Sequence, residues 1–301
     1  TGDESLLDEV AGGRTVLDHL RRLANRADDR RTTFGDRRLV DLGSDAWELL
    51  ECVPNYTNAV ASLNAGYVGM LRSLSSLLEA RGERDEADRA RGRADELAEA
   101  VIGQYAGAGR WRISHPHGDD VIGHCLDFEL IAADLAGDLT EAMRAEMVDF
   151  VLEHLIDGEW MRALSQYDPI APLSDRPDHG AAGAFAAWPG ATSYGLTQLG
   201  RSDLAAEFLS RVHASRSGAL WGQAGEAIGG GHYVVAERGV SNRDSNAAVA
   251  VTEAVLAGLF GIRADFEGLD RPAGAATNEY GSLRGIRAVG FDLPVARGRT
   301  P

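Results

Sequence analysis

Apolar positions recur at three- and four-residue steps along most of the chain, the spacing that lines one face of an α-helix. In ASLNAGYVGMLRSLSSLLEARG, Leu63, Tyr67, Met70, Leu71, Leu74, Leu77 and Leu78 make such a face, and Gly82 follows as a C-terminal cap. ERDEADRARGRADELAEAVIGQY repeats the pattern through Ala87, Ala90, Ala94, Leu97, Val101 and Tyr105 while its opposite face is charged, which predicts a solvent-facing partner helix. The same periodicity predicts helices over about 5–26, 122–136, 140–156, 182–199, 202–214 and 244–261.

Several of these helices arrive in pairs joined by tight turns, as at Gly200. Longer connections rich in aromatic, His, Gly and acidic residues separate the pairs: GRWRISHPHGDD, DGEWMRALSQYDPIAPLSDRPDHG and ALWGQAGEAIGGGHYVVAERGVSNRD. Short turns at one end and long polar connections at the other predict an all-α fold of stacked helical hairpins with a functional face. No fixed-period repeat is present, which favours a closed (α/α) toroid over an open solenoid. Strand alternation is weak until GSLRGIRAVGFDLPV, so the expected organisation is a helical domain over 1–265 and an extended or β-rich tail over 266–301.

Composition narrows the chemistry. A formal net charge of −16 argues against a nucleic-acid partner, since phosphate-backbone binding rests on clustered cations. Every basic residue is Arg, which removes Schiff-base and P-loop lysine chemistry. No apolar run is long enough to span a membrane and TGDESLLDEV lacks a leader pattern, so the expectation is a cytoplasmic protein with no membrane partner, secretion after removal of a leader staying open. Cys52 and Cys125 form neither a disulfide framework nor a zinc pattern, and both read as buried thiols.

The candidate chemistry lies in the long connections. Trp111, Trp160, Trp188 and Trp221 fall in or beside them, where such rings either fill a core or stack on a sugar. SDRPDHG supplies Arg176, Asp178 and His179, either as a capping loop with an Arg–Asp pair or as a clamp on sugar hydroxyls. GHCLDFE places His124, Asp127 and Glu129 at a helix start. His115, His117, Asp119 and Asp120 match no metal-ligand spacing, and neither a metal nor an organic cofactor is expected. No nucleophile elbow occurs, so carboxylates are the candidate acid and base. Glu51 lies among apolar residues in WELLECVPNY, and Glu226 follows Trp221 in a glycine-rich setting.

At these motifs the chain resembles the (α/α)6-barrel glycosidases of the processing α-glucosidase and mannosylglycerate-hydrolase type, glycoside hydrolase family 63. Their general acid is an Asp in a motif of the form S-G-W-D-N-S-P, and Glu51-Cys52-Val53-Pro54 is similar to its D-N-S-P portion. The order SLNAGYVGMLRSL, EADRARGRADELAEAV, RPDHGAAGAFAAWPGATSYGLTQLG, Glu226, IGGGH and NRDSNAAVAVTEAVLAGLFGI parallels the family over roughly residues 45–265. The resemblance implies inverting hydrolysis of a glycosidic bond in a small carbohydrate, with Glu51 as general acid and Glu226 as base, about 6.5–9.5 Å apart. It also implies a pocket walled by Tyr56, Trp111, Trp160, Trp188 and Trp221, with Arg176, Asp178, His179, Gln223 and His232 holding hydroxyls. A six-hairpin barrel has twelve helices and the pattern yields eight or nine, so either the first hairpins are missing or some loops hide helices.

Two other classes stay open on the sequence. One is a different enzyme on a helical toroid, such as a sugar epimerase or isomerase, a lyase or an unsaturated-uronide hydrolase, resting on Asp178, His179 and His232. The other is a non-catalytic carbohydrate-binding or scaffold protein.

Overall fold

A computed structural model of the chain describes residues 4–45, 49–50, 53–215, 224–229, 232–236, 245–264, 269–270, 277–283, 287–288 and 291–292. The helices are α1 (Val16–Asp29), α2 (Ala61–Ala80), α3 (Arg84–Ile102), α4 (Cys125–Leu135), α5 (Glu141–Phe150), α6 (Trp188–Gln198), α7 (Ser202–Ser215) and α8 (Ser245–Glu253). Single π-helical turns, Val151–Leu155 and Ala254–Leu259, continue α5 and α8. Caps set several starts: the Thr15 hydroxyl accepts from the Asp18 amide and the Thr140 hydroxyl from the Met143 amide.

Packing follows from the apolar faces. Helix α2 buries Ala65, Val68, Leu71, Leu74, Leu77 and Leu78, and α3 lays its Ala-rich stripe (Ala87, Ala90, Ala94) against it. Small side chains on that stripe let the two backbones approach closely. Helix α4 packs on α2 and α6 on α4, while α7 and α8 both pack on α6. The result is a succession of helices around one main core, with a small second cluster at Phe260 and Ile262, rather than a closed barrel among the described residues. None of the described helices is long and apolar enough to cross a membrane.

The turns that join α2 to α3, α4 to α5 and α6 to α7 are short, and Gly82 and Gly200 take the left-handed conformation that ends the first helix of their pairs. The long connections precede α2, α4, α6 and α8. They contain more strand than the sequence pattern predicts. Antiparallel β1 (Val10–Ala11) and β2 (Arg14–Thr15) precede α1, and β3 (Arg31–Phe34) and β4 (Arg37–Val40) follow it. A three-stranded sheet, β5 (Tyr105–Gly107), β6 (Arg110–His115) and β7 (Gly118–Ile122), leads into α4. Pairs β8 (Ile156–Asp157) with β9 (Trp160–Met161), then a sheet of β10 (Gly183–Phe185), β11 (Ala224–Gly229) and β12 (His232–Ala236), surround the start of α6. Short antiparallel pairs also occur in the tail, where strands were expected.

Two expectations change accordingly. The all-α class becomes a largely helical fold with small antiparallel sheets. The helix expected from residue 5 starts instead at Val16, because Gly12 and Gly13 adopt positive φ in a β-turn that helical backbone cannot accommodate.

Candidate functional site

The N-terminal ends of α2, α4 and α6 meet, and a row of rings marks their junction. Tyr56, just ahead of α2, lies 5.7 Å from the ring of His124, the N-cap of α4. His124 in turn meets the edge of Trp188, the first residue of α6, at 5.2 Å. His179 and Phe185, from the connection into α6, flank Trp188 at 5.6 and 6.2 Å. The sequence thus places these aromatic groups on separate connections, and the helix packing brings them together.

His124 is fixed in one protonation state. Its Nδ1 accepts from the Leu126 amide at 3.1 Å, which leaves the Nε2–H to donate to the His179 carbonyl at 3.2 Å. Burial is the main cause that pushes its pKa down to about 3, so the ring is neutral at physiological pH. His124 therefore pins the His179 backbone and caps α4, and it carries no proton in exchange.

Beneath the rings lies a buried acid network. Asp127, 2% exposed, accepts on Oδ1 from the Tyr56 hydroxyl at 3.0 Å and the Ser62 amide at 3.1 Å. Tyr56 also hydrogen-bonds the Ser62 hydroxyl. Asp127 Oδ2 has no hydrogen-bond partner, and burial raises the carboxyl pKa to about 7 despite the Tyr56 and Ser62 bonds. Two residues further along α4, Glu129 accepts from the Thr192 hydroxyl of α6 at 2.7 Å, and burial likewise raises its pKa. Both acids face the core, where they join α2, α4 and α6. Cys125 is a buried free thiol, as expected, with its pKa raised by burial; Cys52 lies outside the described residues.

The SDRPDHG segment forms the Arg–Asp pair foreseen for it. Arg176 donates Nε to Asp178 Oδ1 at 2.9 Å and Nη2 to Oδ2 at 2.6 Å, a two-pronged contact that holds the buried carboxylate. His179 Nε2 lies 3.9 Å from Asp178 Oδ2. The pair sits beside the ring row, with the Asp178 carbonyl accepting from the Phe185 amide.

Glu226 is half-buried on β11, where it stands opposite Gly183 of β10. The register depends on two glycines. A Cβ at Gly183 would lie 2.0 Å from the Gly225 carbonyl oxygen, and one at Gly225 would lie 2.4 Å from the Trp160 ring.

Three of the expected pocket walls, Tyr56, Trp111 and Trp160, are core groups instead, Tyr56 (0% exposed) because its hydroxyl reaches inward to Asp127 and Ser62, and Trp188 is buried as well at 8%. Trp160 is 0% exposed because Gly225 of β11 lies flat against it. Trp111 is 1% exposed because the alternation of β6 turns it inward with Ile113, against the edge of Tyr105 at 5.0 Å. His232 opens β12, opposite Gly229. Glu51, Trp221 and Gln223 lie outside the described residues, and with Glu51 so does the expected carboxylate pair. Among the described residues no group of three or more His, Cys, Asp or Glu side chains is arranged to hold a metal ion.

The structure thus brings together Tyr56, Arg176, Asp178, His179 and Trp188, adds His124 and Phe185, and carries Glu226 on the hairpin beside them. Ser62 and Thr192 gave no local signal in the sequence, since each partners an acid more than 60 residues away. No family model matches the sequence, and no curated protein matches it.

Proposed function

We propose that the protein is a glycoside hydrolase that cleaves a bond in a small carbohydrate with inversion, at the end of the helical array where α2, α4 and α6 begin. The observation that carries this reading is the row Tyr56–His124–Trp188–His179 with the Arg176–Asp178 pair beside it. Tyr56, His124, Trp188 and Asp178 are buried and form the floor, while the partly exposed Arg176, His179 and Phe185 above them present a charged donor and two rings, which suit the hydroxyl and apolar faces of a sugar. The helices are taken as part of an (α/α) toroid of the six-hairpin glycosidase kind.

His124 stays neutral and Asp127 is sealed in the core, so proton transfer falls to carboxylates on the connections. Glu226 acts as the base that activates water, and Glu51 donates the proton to the leaving oxygen. Arg176, held by the buried Asp178, and His179 orient the hydroxyls, and Phe185, the partly exposed ring packed on Trp188, supplies the stacking face. No organic cofactor or metal is required by this chemistry.

The test is a panel of aryl glycosides and neutral oligosaccharides followed by proton NMR of the newly released anomeric centre. Inverted product, with turnover reduced about 10²–10⁴-fold by Glu226→Gln and by Glu51→Gln, is the expected result. Retained configuration, or turnover unchanged by Glu226→Gln, overturns the assignment. A second reading, sugar epimerisation or isomerisation, is favoured by the proximity of His179 to Asp178. It predicts an isomerised sugar without hydrolysis, lost in His179→Asn.

A further inference from the structure

The two hairpins that flank the segment ahead of α2 enclose a cleft of about 450 Å³, lined by Thr32, Thr33 and Phe34 of β3, Arg37 of β4, and His115 and Asp119 of the β6–β7 hairpin. Its volume falls within the range of small-molecule sites, about 300–1,000 Å³. Arg37 donates to Asp119 at 2.5 Å across the cleft, and the Arg37 stem lies against Gly103, where a Cβ would come within 3.3 Å of it. The pair is thereby held from both sides.

The wall opposite is fixed through His115. Its Nδ1 lies 3.3 Å from Asn58 Oδ1 and 3.4 Å from Thr57 Oγ1, while Nε2 faces Asp120 at 3.4 Å. Asn58 itself has φ of +57°, and its side chain donates to Asp41 at 3.1 Å. Asn is the side chain that most readily takes this left-handed backbone, and its bonds to Asp41 and His115 hold the segment in place behind the cleft. Tyr56 of the ring row, Thr57 and Asn58 are consecutive, so the same short segment forms part of both places.

We propose that this cleft is a second binding site, for a neutral hydroxyl-rich ligand, namely a sugar unit. Arg37 is already neutralised by Asp119, with Asp36 a further 3.9 Å from its Nε, so the cleft offers no net positive charge to an anion. The described residues hold no metal cluster there either. What the cleft does offer is a donor fork beside an acceptor carboxylate, two exposed threonines and an imidazole, over a floor in which Phe34 is 5% exposed. These match adjacent hydroxyls. Binding here shares its ligand class with the hydrolase reading but needs no turnover, so the two can fail separately.

The experiment is saturation-transfer NMR and calorimetric titration of the full chain with glucose, maltose and cellobiose, with glucuronate and glucosamine as charged comparators. Asp119→Asn and Arg37→Met are the cleft variants, Trp188→Ala the control at the ring row, and thermal melting checks each fold. The expected result is binding of a neutral sugar that weakens at least fivefold in Asp119→Asn or Arg37→Met and persists in Trp188→Ala. Absence of neutral-sugar binding, tighter binding of either charged comparator, or binding unchanged in both cleft variants overturns the proposal. Should Arg37→Met fail to fold, Asp119→Asn, which keeps size and shape, decides alone.

Discussion

Asp127 and His124 titrate in opposite senses although they sit three residues apart. The folded pKa of Asp127, about 7, lies above its ordinary value of 3.8, so its contribution to stability is complete below about pH 4 and is lost as pH rises towards 7. His124 falls from 6.5 to about 3, so its contribution is complete above 6.5 and is lost as pH falls towards 3. Between those limits the two slopes oppose each other, which flattens the stability profile. Asp127→Asn cannot ionise, so its melting temperature relative to wild type rises more at pH 8 than at pH 5; an equal difference at both pH values contradicts the burial argument. Tyr56→Phe deletes the hydroxyl bonded to Asp127 and Ser62. It costs roughly 1–3 kcal/mol in chemical denaturation, whereas a change within error means the hydroxyl is not holding the network.

At the scale of elements, the helices were legible and many strands were not. Long periodic faces identified α2 and α3 and the cores of α4, α6, α7 and α8. The β5–β7 sheet was hidden because only Trp111 and Ile113 mark the alternation in β6, and Asp119 and Asp120 in β7 disfavour strand on propensity. The ring row was only partly legible: its members are recognisable singly, but their meeting depends on which helices pack side by side. Glycines make that packing testable. In α6, a Cβ at Gly190 would lie 2.6–2.8 Å from Ala250 and Val251 of α8, two of the three nearest atoms being backbone that cannot move aside. In α2, a Cβ at Gly69 meets the Asp134 carboxylate, a side chain that can swing away. Gly190→Ala therefore lowers the melting temperature more than Gly69→Ala, and the reverse order sinks the packing argument.

For the whole molecule, charge is the dominant long-range term. A net −16 repels itself at low ionic strength, and the many Arg–carboxylate pairs on the surface, such as Arg72–Asp138 and Arg201–Asp203, offset it only locally. Raising salt from about 10 to about 300 mM shortens the screening length from about 30 Å to below 8 Å, so the melting temperature rises. A fall instead means that the local pairs outweigh the global repulsion.

The separation of short turns from long connections has an evolutionary consequence. Cooperative burial resides in the helical array, while on the proposed reading recognition resides in the hairpins of the long connections. Mutational drift in those hairpins can therefore change what is bound without spending the stability of the array. The opposite end, where Gly82 and Gly200 close two-helix turns, offers positions for a surface tether or a fused module that leave the end with the long connections unobstructed.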